Sequence, residues 1–275
     1  MKQSRVNVKK RNVSILAVVM LVFIFAGTGL AQTDAETAEL AKKSQNPVAN
    51  MISLPLQFNF NNGMGEYNRS QMVINVQPVF PLKLNSKINI INRFIQPVIN
   101  QPDVMESSGS TFGLGNLNYT AFFTPAEPGK LIWGVGPAFS IPTATSSKLG
   151  GTDFGLGPSV VALTMPGHWV LGLIANQIWS YRVDSNLSSF FLQYFINYNL
   201  PQGWYVGTGP SLSANWKADE GEKWTVPFGL NVGKLTRFGK QPVKLHLGVY
   251  YNAVRPTYGA DWSVQFQAVF LFPKR

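Results

Sequence analysis

From residue 52 onward, apolar and polar side chains alternate along the chain, the period of a β-strand whose two faces meet different surroundings. Ile52, Leu54, Leu56, Phe58 and Phe60 share one face, and Ser53, Gln57, Asn59 and Asn61 the other. Phe190, Leu192, Tyr194, Ile196 and Tyr198 oppose Gln193, Asn197 and Asn199 in the same way. Trp262, Val264, Phe266, Ala268, Phe270 and Phe272 oppose Ser263, Gln265 and Gln267. The pattern predicts twelve strands, at about 52–61, 71–80, 88–98, 114–123, 131–141, 154–164, 169–180, 189–199, 204–216, 224–233, 243–254 and 262–272. An even count brings both ends of the chain to one side of a sheet closed on itself, the arrangement of bacterial transmembrane barrels.

The junctions support the same reading. Short turns at 81–87, 124–130, 165–168 and 200–203 alternate with connections that are mostly longer and polar, such as 99–112 and 142–153. Nine of the thirteen carboxylates (Glu66, Asp103, Glu106, Asp153, Asp184, Asp219, Glu220, Glu222 and Asp261) then fall in the long loops, three in the segment before residue 50, and Glu127 in a short turn. None falls in a strand. All seven tryptophans lie near strand ends: Trp133, Trp169 and Trp204 at the short-turn end, Trp179, Trp216, Trp224 and Trp262 at the other. At ~3.4 Å per residue and ~45° tilt, Trp204 and Trp216 sit about 29 Å apart along the membrane normal, the spacing of two aromatic girdles around an apolar band. Pro78, Pro97, Pro137, Pro158, Pro210 and Pro227 fall inside the expected strands, where a missing N–H predicts bulges or bends. Three of them close similar motifs, GVGP (134–137), GLGP (155–158) and GTGP (207–210). The pattern leaves the facing of the third and seventh strands open.

Composition narrows the class. Of 275 residues 45% are apolar and only 13% charged, about half the charge of a typical soluble domain, while mean hydropathy is +0.03, too low for a helical membrane bundle. Five of the 23 basic residues precede residue 32, and the remaining 18 against 13 acids are scattered, with no nucleic-acid reading motif. Residues 1–31 read as a secretory signal peptide: a basic start, the apolar run 15–28, and small residues at Gly29 and Ala31. Residues 32–50 read as a polar periplasmic tail or short helix outside the barrel, and 51–275 as the barrel. Cysteine is absent, which removes disulfides, thiolate metal sites and lipid anchoring through a cysteine.

Candidate chemistry is sparse. His168 and His246 are the only histidines, no G-x-G-x-x-G is complete, and no serine or carboxylate pair is placed beside a histidine, so no enzyme, metal site or cofactor is expected. The inward face carries Asn, Gln, Ser, Thr and Gly, with Lys244, His246, Arg93 and Asn197 as lumen-lining candidates. Cations without a facing acid need water, so a wet lumen is expected, passing small neutral or anionic solutes. A non-conducting structural or surface-contact barrel is the alternative.

The stretches AELAKKSQNPVANMISLPLQFNFN (38–61), KLIWGVGPAFSIPTAT (130–145), QYFINYNLPQGWYV (193–206), KWTVPFG (223–229) and GKQPVKLHLGVYYNAVRPTYGADW (239–262) carry a resemblance. They resemble the bacterial outer-membrane proteins mislabelled "neuromedin U", grouped with transporters of the phenol meta-pathway barrel family. The resemblance covers nearly all of the chain after residue 32. It implies a Gram-negative outer-membrane barrel with both termini periplasmic, a transport role extending to aromatic solutes, and no catalytic residues to carry over. Lipid, lipopolysaccharide and the barrel-assembly machinery are the partners expected of such a barrel. Phe266, Phe270 and Phe272 stand where the aromatic assembly signal belongs, although Pro273, Lys274 and Arg275 follow them.

Overall fold

The computed structural model describes residues 34–182, 185 and 187–273; the expected signal peptide and Asp184 lie outside them. A helix, α1 (Asp34–Lys43), precedes twelve spans. These are β1 (Ile52–Met64), β2 (Arg69–Val76, resuming as Val79–Lys83), β3 (Ile88–Pro102), β4 (Ser110–Leu114 and Leu117–Pro125), β5 (Leu131–Ile141) and β6 (Gly155–Thr164). They continue as β7 (Trp169–Ser180), β8 (Ser188–Asn199), β9 (Trp204–Thr208 and Ser211–Asn215), β10 (Trp224–Phe238), β11 (Gln241–Val254) and β12 (Trp262–Phe272).

Each span pairs antiparallel with its neighbours in sequence, and β1 pairs with β12 from Ile52–Phe272 to Asn62–Trp262, closing the sheet. A sheet without edges satisfies its backbone groups internally, which is the condition for crossing lipid on strands. The expected all-β, twelve-stranded antiparallel barrel is therefore the observed fold. Several boundaries differ: β1 runs on to Met64, β3 to Pro102 and β4 starts at Ser110, while β10 and β11 run on to Phe238 and Gln241, paired across a two-residue turn in which Gly239 has φ +60°. Glycine adopts that left-handed conformation without steric cost, so the hairpin is tighter than hydropathy implied.

The prolines divide into two groups. Pro78 and Pro210 interrupt β2 and β9, and the β10–β11 register shifts between Val226 and Pro227. Pro97, Pro137 and Pro158 stay within strands. Pro137 and Pro158 face each other, and the ladders beside them skip from Thr120–Ala138 to Phe123–Val135 and from Leu156–Trp179 to Ser159–Asn176. The adjacent glycines permit close backbone approach there, because a Cβ on Gly136 or Gly157 would overlap the carbonyl oxygen of Ala121 or Gln177.

The interior is two-sided. The inward faces of β1, β2 and β8–β12 are largely polar, as expected, whereas the short-turn half of β3–β7 is apolar inside and out. Ile91, Phe122, Val161, Leu163 and Val170 are almost wholly buried, in one cluster with Val48 and Phe195. The expectation of a wet lumen lined throughout by Asn, Gln, Ser, Thr and Gly is corrected accordingly. The open parities are settled as well: Ile91, Arg93 and Ile95 of β3, and Val170 and Ile174 of β7, point inward.

Candidate lumenal site

The tail does not stay outside the barrel. Lys42 Nζ, near the end of α1, donates to the carbonyl oxygens of Met165 at 2.7 Å and Gly167 at 2.6 Å in the β6–β7 turn. Beyond the helix, Gln45 Nε2 donates to Asn199 Oδ1 at 2.7 Å, and Lys244 Nζ donates to the Ser44 carbonyl at 2.8 Å. Val48 joins the apolar cluster inside the wall, and Ala41 packs with Leu235, Val269 and Leu271. The segment was read as external because it is polar overall, but its few apolar side chains meet apolar groups at the short-turn end, Val48 on β3, β7 and β8 and Ala41 on β10 and β12.

Above the tail the lumen holds two cavities, one of about 170 Å³ at the short-turn end and one of about 490 Å³ toward the long loops. Gln57, Gln77, Arg93, Gln193 and Gln265 line both and so mark where they meet. A chain of carboxamides fixes this junction. Arg93 Nη2 donates to Gln77 Oε1 at 3.1 Å, and Gln77 Nε2 to Gln57 Oε1 at 3.1 Å. Gln57 Oε1 also accepts from Gln267 at 3.2 Å, while Asn59 Oδ1 accepts from Gln57 at 3.0 Å and Gln265 at 3.1 Å. Each side chain is held by its neighbour, so the guanidinium has a defined position at the junction.

Arg93, Lys244, His246 and Asn197, expected in the lumen, all line the smaller cavity. His246 Nδ1 lies 3.1 Å from the Tyr205 hydroxyl. No aspartate or glutamate lines either cavity among the described residues. The glutamines that fix Arg93 were visible in the sequence only as members of a polar face; their convergence depends on the register of β12, β1, β2 and β3. On the outer wall the tryptophans cluster near strand ends. Trp216 and Trp224 meet edge to face at 5.2 Å, Trp169 meets Tyr198 at 4.9 Å, and Lys234 Nζ lies 4.8 Å from the Trp204 ring centroid. Phe266 and Phe270 of β12 cover Val243 and Leu245, and Phe272 is half exposed at the end of the strand.

An edgeless barrel with tryptophans near its strand ends and a partly polar lumen has the fold of the outer-membrane β-barrels. No family model matches the chain, and no curated protein matches it. Solved structures do: the COG4313 outer membrane channel from Pseudomonas putida F1 is 14% identical, covering 81% of this chain and 96% of its own, with a TM-score of 0.64. Outer membrane phospholipase A from Escherichia coli is 12% identical over 81% of this chain and 97% of its own, at a TM-score of 0.45. The CymD monoaromatic hydrocarbon channel is 10% identical over 88% and 93%, at 0.44. The first likeness shows the fold and the other two are too distant to argue from. The expectation that the chain is not an enzyme is withdrawn, because a barrel fold does not by itself separate channels from enzymes, and a phospholipase stands among the structures matched.

Proposed function

We propose that this chain is a passive outer-membrane conduit for small neutral and anionic solutes. In this reading the long loops face the exterior, the termini lie in the periplasm, and lipid and lipopolysaccharide surround the wall. The observation that carries it is Arg93 at the meeting of two cavities, neither of which has a carboxylate among the described residues of its lining. A unit charge about 5 Å from a passing ion, in surroundings between bulk water and a protein surface, is worth about 1–3 kcal/mol, enough for a several-fold to hundredfold preference for anions. Planar-bilayer recordings across a KCl gradient test it. The wild type should prefer chloride, and Arg93→Glu should shift the reversal potential toward potassium. Absence of conductance, or a cation preference unchanged by Lys244→Glu, would refute the reading. Liposome swelling with neutral sugars and small carboxylates, aromatic acids included, identifies the solutes. The alternative of a non-conducting surface barrel draws support from the tail across the short-turn end, and zero conductance in both assays would select it.

A further inference from the structure

The larger cavity has one side chain that a polar lumen does not call for, the ring of Phe191, and we propose that this ring and the hydroxyls beside it bind a neutral cyclic sugar. The inference rests on the conduit reading above and deepens it, because it names one class among the neutral solutes.

Phe191 stands on the inward face of β8, two residues from Gln193, and both line the larger cavity. The ring is partly exposed and stacks on no other aromatic ring among the described residues. Its antiparallel neighbour on β9 is Ser213, whose neighbour on β10 is Thr225. Ser211 lies on the same face of β9, two residues from Ser213, and all three line the cavity. Their hydroxyls have no hydrogen-bond partner among the described residues, so an apolar ring is set beside three unused donors and acceptors. In a closed ring of twelve spans β2 stands opposite β8. There Asn75 lines the same cavity, and its carboxamide also lacks a partner.

These groups select the ligand. An inorganic anion would be drawn to Arg93 at the floor of the cavity and make no use of Phe191 or the hydroxyls. A hydrocarbon would cover the ring but strip water from the hydroxyls and from Asn75 without replacing it, which costs free energy at each. Glycerol or urea would pair with the polar groups and leave the ring in water. A pyranose has both parts. The C–H groups on one face of its ring can lie on Phe191 and remove that apolar surface from water. The hydroxyls around its edge each donate and accept, as do those of Ser211, Ser213 and Thr225. No hydrogen bond within the protein has to break for it to enter, because every group it meets is one the fold leaves unused. At about 30 Å³ per water the 490 Å³ of the cavity corresponds to some sixteen waters, room for a hexose with water still bridging to the carboxamides of the far wall.

Saturation-transfer difference NMR on the full mature protein in nanodiscs, with D-glucose, glycerol and uridine, tests the site and needs no current through the barrel. Glucose should receive saturation that levels off with concentration, stronger at the C–H protons of one ring face than of the other, while glycerol should show no saturable transfer. Phe191→Ala should weaken glucose binding at least fivefold, Thr225→Val about threefold, and Phe191→Tyr should retain it, each in protein with heat-modifiable mobility on gels. The comparison of the three solutes on the wild type depends on no variant folding. No saturable transfer to glucose in the wild type, unchanged affinity in folded Phe191→Ala, or uridine bound more tightly than glucose would overturn the site. Chloride-preferring conductance without glucose binding sinks the site and leaves the conduit; glucose binding by a barrel that passes no current supports the site and sinks the conduit.

Discussion

Replacing Val48 by aspartate should drive the tail out of the lumen while leaving the barrel intact. Val48 is 4% exposed and packs among Val79, Ile91, Ile174 and Phe195. Removing a buried valine forfeits about 1.5–3 kcal/mol, and an unpaired carboxylate in that apolar surrounding adds several kcal/mol more. On the other side stand the bonds from Lys42, Gln45 and Lys244, which hold the segment just before residue 48. The position can keep an aspartate only if those anchors absorb a penalty of about 5 kcal/mol or more, a shift of over a thousandfold in the ratio of seated to released tail. The twelve strand pairings that close the wall do not involve residue 48, so release need not unfold the barrel. Single-channel recording should then show larger and more continuous conductance than the wild type, and protease should cut between residues 44 and 51 in folded, heat-modifiable protein. Val48→Ala, which removes bulk without adding charge, should produce the same changes at about tenfold lower amplitude. Unaltered conductance and protection in a folded Val48→Asp protein would refute the reasoning, because the tail would then not depend on its apolar contact.

The other expectations concern assembly and the loops. Gly157→Ala would force a Cβ onto the backbone oxygen of Gln177, so the heat-modifiable form should fall sharply on unheated gels; Gly151→Ala, with open space around it, should match the wild type. Deletion of Phe272 should reduce outer-membrane levels of the folded barrel, and normal levels would remove that residue from the assembly signal. The Glu222 carboxylate accepts the Thr257 backbone N–H at 2.7 Å and its hydroxyl, bonds that hold its pKa below the usual 4.5. A lowered pKa means the link is fully present above the ordinary carboxylate value and lost as pH falls through the lowered one. Protection of the Thr257 amide from hydrogen exchange should therefore be level from neutral pH to about pH 5 and decline only in more acid solution, whereas Glu222→Gln should abolish the dependence.

How far the fold was legible follows from what each wall of the barrel faces. In β1, β8 and β12 one face meets lipid and the other polar side chains, so the contrast between Phe58 and Gln57, or Phe266 and Gln265, marks the strand and its facing together. In β3 and β5–β7 that contrast disappears, because Ile91, Ile132, Val161 and Ile174 point inward onto an apolar cluster while their neighbours point toward lipid. A strand apolar on both faces has no period to read, and its facing is set only by the strands beside it. The site was legible to the same degree. Lys244, His246, Arg93 and Asn197 could be placed in the lumen one at a time from their own strands, but not around one cavity, since Arg93 reaches its position through Gln77, Gln57 and Gln267 on three other spans. The seat of the tail is non-local in the same sense. Ala41 and Val48 form no periodic stripe, and their burial follows only once β2, β3, β7, β8, β10 and β12 present apolar groups at one end. These two failures have one physical origin. Both depend on which strands stand side by side at the short-turn end: Val48 meets Ile91, Ile174 and Phe195 from β3, β7 and β8, and Ala41 meets Leu235, Val269 and Leu271 from β10 and β12. The open facing of β3 and β7 and the unread seat of the tail therefore both trace to an interior surface covered by protein rather than by water.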